Sequence, residues 1–103
     1  MKYHSTLSIV RAYLGTLEPE AVAGIANNIT QCPVARAMQW KYSELFVVTL
    51  HFCYLATDFP SGGDSNPPEI FELVRGIDLL NGLAREEKPI TRREVEQILE
   101  ALA

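Results

Sequence analysis

In the stretch LHFCYLATD, residues 50–58, His51 stands two residues before Cys53, and the chain has only one other histidine, His4, and one other cysteine, Cys32. Imidazole and thiolate are a pair zinc accepts, and a cysteine beside a basic imidazole is also the arrangement of an activated nucleophile. Read as part of a helix, the spacing disfavours both. At roughly 100° per residue, side chains two apart diverge by about 160°, so His51 and Cys53 cannot hold one ion. Cys53 then falls on the apolar face of Met38, Tyr42, Leu45, Phe46, Thr49, Phe52 and Ala56, where a free thiol acts as a small buried hydrophobe. Cys32 opens a helix, a position that lowers a thiol pKa, but no local pattern supplies it with a base. The chain lacks a glycine-rich phosphate loop ending in Lys-Ser or Lys-Thr, a His-Glu-x-x-His pair and a Cys-x-x-Cys pair, and the acids around SGGDSN lack calcium-loop spacing. The expectation is a non-enzyme with no catalytic residues, no cofactor and no small-molecule substrate, and with no metal site unless the scattered Cys32, Cys53, His4 and His51 converge on zinc.

His51 instead belongs to a polar seam with Glu44 and Asp58, seven residues away on either side. Beside that seam stand Trp40, Val47 and Tyr54, too many large apolar groups for a solvated helix face. Tryptophan and tyrosine are frequent interface anchors. Either the first or fourth helix of the same chain covers this face, or Trp40, Glu44, Val47, His51 and Tyr54 are an interface, with a symmetric homodimer or another protein as the expected partner. Charge distribution points the same way. Residues 1–66 hold nine charged side chains and residues 67–103 hold thirteen, so the first two-thirds has much apolar surface to cover. The function expected is protein–protein interaction, as an adaptor, an inhibitor or a small regulatory subunit.

The competing expectation comes from IANNITQCPVARAMQW, residues 25–40, which resembles the turn and second helix of a helix-turn-helix. Val34, Arg36, Ala37 and Met38 stand at the positions of that motif's second helix. The resemblance implies a DNA-binding regulator that uses residues 21–42, with Gln31, Arg36, Gln39 and Lys41 as the contacts. A net charge of −4 and a pI near 5.1 weigh against nucleic acid, whose phosphates need clustered Lys and Arg.

The elements that must position these residues read as five helices, an all-α single domain over residues 1–103. Leu7, Val10, Leu14 and Leu17 mark the first helix, which closes near Gly15 to Leu17. Pro19 opens the second, whose small residues let a neighbour approach Ala21, Gly24 and Asn28. A long central helix then runs from Val34 to Thr57 without a breaker. Its LFVVTLHFCYL core would suit a strand, but no other segment reads as a partner strand. Asn66 caps the fourth helix, with Pro67 at its first position and Glu69 in a capping box. Its apolar stripe is Ile70, Val74, Ile77 and Leu80, and Asn81-Gly82 ends it before a connector, Leu83 to Glu87. Thr91 and Glu94 box the last helix, Ile90 and Val95 staple it, and Val95, Ile98, Leu99 and Leu102 form its stripe. The sequence has no apolar run long enough to span a membrane and no signal-peptide pattern, which leads to the expectation of a cytoplasmic protein with free thiols.

Overall fold

The computed structural model describes residues 3–80 and 86–102 and builds them from four helices and five strands. α1 spans Leu7–Leu14, with Val10, Tyr13 and Leu14 turned to the core. The Thr6 hydroxyl accepts the Ile9 N–H at 3.4 Å and so caps the first turn. The segment expected as a second helix is instead a strand, β1, Val22–Ala26. No helix face of Ala21, Gly24 and Asn28 exists for a neighbour to approach; in the strand, a Cβ on Gly24 would lie 2.4 Å from Pro33 N and 2.6 Å from Gln31 O. Asn27 then takes a left-handed conformation, φ 62°. The Asn28 side chain accepts the N–H groups of Thr30 and Gln31 at 3.1 and 3.0 Å. An Asn-Asn pair with these local bonds makes a tight turn and disfavours a helix interior.

α2, Pro33–Tyr42, is capped by Cys32, whose Sγ accepts the Ala35 N–H at 3.4 Å. It stops at Ser43, which is left-handed with φ 57° and donates its N–H to Gln39 O. There is no helix from Val34 to Thr57. After Ser43 the chain forms β2, Phe46–Val48, and β3, Phe52–Leu55, and later β4, Asp64–Ser65, in a three-stranded antiparallel sheet ordered β2-β3-β4. The missing partner strand was inside the same run of residues, which folds back on itself at Thr49 to His51 with Val47 opposite Tyr54. Thr49 closes that turn. Its backbone N–H reaches Phe52 O at 2.9 Å and its hydroxyl accepts the Phe52 N–H at 3.1 Å.

Asn66 does not cap the next helix. Its Nδ2 donates to Thr49 O and Leu50 O at 2.8 and 3.1 Å, its N–H donates to His51 O, and its Oδ1 accepts from the Ser5 hydroxyl. One side chain thus ties the hairpin tip to the segment before α1. α3, Pro68–Asp78, starts behind Pro67 with no side-chain cap, and the Glu69 capping box is not formed. The helix buries Ile70, Leu73, Val74 and Ile77, whereas Leu80 is exposed. The expected terminus at Asn81-Gly82 and most of the connector after it lie outside the described residues.

β5, Lys88–Thr91, pairs antiparallel with β1 in a separate two-stranded sheet. α4 follows at once over Arg92–Leu102. Its capping box is as expected: Glu94 Oε1 accepts the Thr91 N–H at 3.0 Å and Thr91 Oγ1 accepts the Glu94 N–H at 3.2 Å. Ile90, Val95 and Leu99 are buried, but Leu102 is exposed. Gly76 lets α4 close on α3, since a Cβ there would meet Ile98 Cγ2 at 2.8 Å. The all-α, five-helix fold is therefore overturned in favour of an α/β fold with two antiparallel sheets. The core unites α1, α2, α3 and α4 with Phe46, Val48 and Cys53 from the inner face of the larger sheet.

Candidate interaction surface

The five expected interface residues do not share a face. Trp40, on α2, is 45% exposed and sits 6.2 Å from the Tyr13 ring of α1. Glu44 lies in the turn after α2, where its carboxylate pushes the Tyr3 hydroxyl pKa up. His51 stands at the hairpin tip with its ring 5.3 Å from Phe71 of α3. Val47 and Tyr54 are cross-strand partners, as the pairing register shows. The helical phase that grouped all five fails because residues 46–55 alternate with period two.

That alternation creates two surfaces. Phe46, Val48 and Cys53 point inward and are fully or almost fully buried. Val47, Phe52 and Tyr54 share the opposite face, with Ser65 opposite Phe52 on the same side, although Val47 is itself buried. Phe59 joins them from the loop after β3. The Tyr54 ring is 6.0 Å from Phe52 and 5.1 Å from Phe59, edge-on to the latter. Gly63 makes room for it, because a Cβ at Gly63 would fall 2.3 Å from Tyr54 Cε1. Phe52 is 40% and Phe59 42% exposed, and none of the four outward strand positions carries a charge.

The second surface is a furrow beside α3. Pro68, Phe71, Val74, Arg75, Asp78 and Leu79 recur at the three- and four-residue spacing of one helix stripe, and all line it. The opposite wall is made by the Asn27–Ile29 turn, the hairpin tip and Asn66. Asp78 Oδ1 accepts the Asn27 N–H at 2.9 Å, and Asn27 Nδ2 donates to Asp78 O at 3.3 Å. Desolvation pushes the Asp78 carboxyl pKa up, against the smaller lowering effect of the Asn27 N–H. Sequence reasoning missed Asp78, Asn27 and Phe71. The apolar stripe of α3 was visible, but its polar neighbour Asp78 gains meaning only from the turn that packs against it.

The residues proposed for nucleic acid are poorly placed for it. β1 occupies the place of the motif's first helix, so the helix-turn-helix is not formed. Pro33, Val34 and Ala35, the first turn of α2, are buried. Gln39 Nε2 donates to Thr30 O at 2.9 Å, Arg36 lies beside Tyr13, and Gln31 is half-buried, leaving Lys41 exposed. The thiols are far from nucleophilic. Burial pushes Cys32 and Cys53 each up to about 11, which reverses the lowered value expected for Cys32 from its place at a helix start. Among the described residues no group of His, Cys, Asp and Glu is arranged to hold a metal ion, and no helix is long and apolar enough to cross a membrane. No family model, no curated protein and no solved structure matches the chain.

Proposed function

We propose that the chain is a non-enzymatic protein–protein interaction module whose first partner is a second copy of itself, meeting across the outward face of the β2-β3-β4 sheet. One observation carries this reading: Phe52 and Phe59, both exposed, flank the half-buried Tyr54 in an aromatic cluster on a sheet face without charges. With a net charge of −4, two copies repel in general, and a contact between them is least opposed where no charged side chain has to be desolvated. Aromatic residues bury large area with few rotors to freeze, and a two-fold contact lets each cluster pack against its counterpart. A cytoplasmic location goes with this reading, supported by the two free thiols.

Light scattering at micromolar concentration tests it. Wild type should show twice the chain mass, and Phe52→Glu should show the monomer mass with an unchanged circular-dichroism spectrum. Trp40→Glu should remain dimeric, because the Trp40 ring packs on Tyr13 of α1 and pairs with no ring of the cluster. A wild type of monomer mass would refute self-association through this face.

A further inference from the structure

The furrow along α3 contains a carboxylate that pairs with no cation among the described residues. Asp78 spends one oxygen on the Asn27 N–H, and no described residue donates to its Oδ2. The nearest cation of the same helix, Arg75, is turned to Glu72 at 3.4 Å. The surroundings are apolar: Ile29, Leu50 and Val74 line the same section, which encloses about 390 Å³, and Phe71 lines the next. A carboxylate held in such walls, with its pKa raised by lost water, lacks a counter-charge more than it lacks hydrogen bonds.

We propose that this furrow binds a short peptide segment of a partner protein through a lysine or arginine side chain that pairs with Asp78, flanked by apolar side chains packed on Leu50, Phe71 and Leu79. Length favours a peptide over a small amine. The lining stripe runs from Pro68 to Leu79 along α3, about 16 Å at the ordinary helical rise, which matches roughly ten helical residues or five extended ones. A basic side chain suits the site on both counts, since its alkyl stem covers apolar wall while its head meets the carboxylate. The rim is negative on the side of the Asn27–Ile29 turn, whereas Arg75, paired with Glu72, lines the α3 side. Glu87, whose Oε1 accepts from Asn28 Nδ2, stands beside the Asn27–Ile29 turn.

The Asp78 section has no residue of the aromatic sheet face, although Phe52 and Ser65 line the neighbouring section at Pro68 and Phe71, so Asp78→Asn tests this site without touching the sheet. The probe is a blocked ten-residue peptide with one Lys flanked three and four residues away by Leu, compared with counterparts in which that Lys is replaced by norleucine or by Glu. Titration followed by amide NMR should shift Leu50, His51 and Phe71. The Lys peptide should bind at least tenfold more tightly than the norleucine peptide, and the Glu peptide more weakly still. Asp78→Asn keeps an oxygen for the Asn27 N–H and should fold as wild type, yet lose the preference for Lys. Equal binding of the three peptides to wild type, binding of none, or a preference that survives in Asp78→Asn would overturn the proposal. So would a change of oligomeric mass in Asp78→Asn, because the occupant would then be a second copy of the chain.

Discussion

The two faces of the β2-β3 hairpin are built from alternate residues of the same strands, and they do opposite things. Phe46, Val48 and Cys53 disappear into the core, while Phe52 and Tyr54, no less aromatic, lie on the outside. Composition therefore says little about which aromatic residue holds the fold together. Position parity along the strand decides it, because neighbouring side chains leave a pleated sheet in opposite directions. The inner face works for stability and is satisfied within the chain. On the outer face Val47 is still buried and Tyr54 half-buried, and the apolar area left available is mainly that of Phe52.

The sharpest way to break that comparison is to truncate one residue on each side. Phe46 is fully buried and its ring lies 5.6 Å from Tyr3 and 5.9 Å from Tyr42. Phe46→Ala should cost about 3 to 5 kcal/mol in a urea melt. Phe52→Ala, measured at dilution low enough for monomers, should stay within about 0.5 kcal/mol of wild type. Equal losses would mean that the parity assigned to the hairpin is wrong. A Phe52→Ala penalty that grows with protein concentration would instead place the missing contact in the dimer.

Why the hairpin escaped a reading of the sequence while α4 did not is a matter of where the information lies. Thr91, Glu94, Ile90 and Val95 specify a helix start within six residues: the Thr91–Glu94 box forms, and Ile90 and Val95 are both buried. The phase of residues 43–57 depends on Ser43 adopting a left-handed conformation and on Asn66 reaching across to the turn at Thr49 and Leu50. Neither is encoded by local spacing, since serine is an uncommon left-handed residue and Asn66 lies 16 to 17 residues from its acceptors. Period 3.6 placed Leu45 and Phe52 in the core beside Phe46, whereas Leu45 is 54% exposed. The same limit hid the furrow, whose walls come from three separated segments. Thr91→Ala tests the local end of the contrast. It should cost on the order of 1 kcal/mol, less than the loss at Phe46 and more than the loss at Phe52, and a melt unchanged within error would remove the box from the account of α4.

The smallest expected effect concerns Asp78 and has a defined sign. Its folded-state pKa is raised above the ordinary 3.8, first by desolvation, so the folded chain holds that proton more tightly than the unfolded chain does. The contribution is fully present below the unfolded value and is lost as pH rises through the folded one. Asp78→Asn removes the titration while keeping an acceptor for the Asn27 N–H. Urea midpoints of the two proteins should therefore coincide near about pH 3, and the variant should become the more stable of the two as pH rises toward about 7. Half-burial keeps the difference below the loss expected at Thr91. The direction matters more than the size. A variant less stable than wild type at neutral pH would show that the carboxylate already has a cation supplied by its own chain, and a partner's lysine or arginine would then have no vacancy to fill.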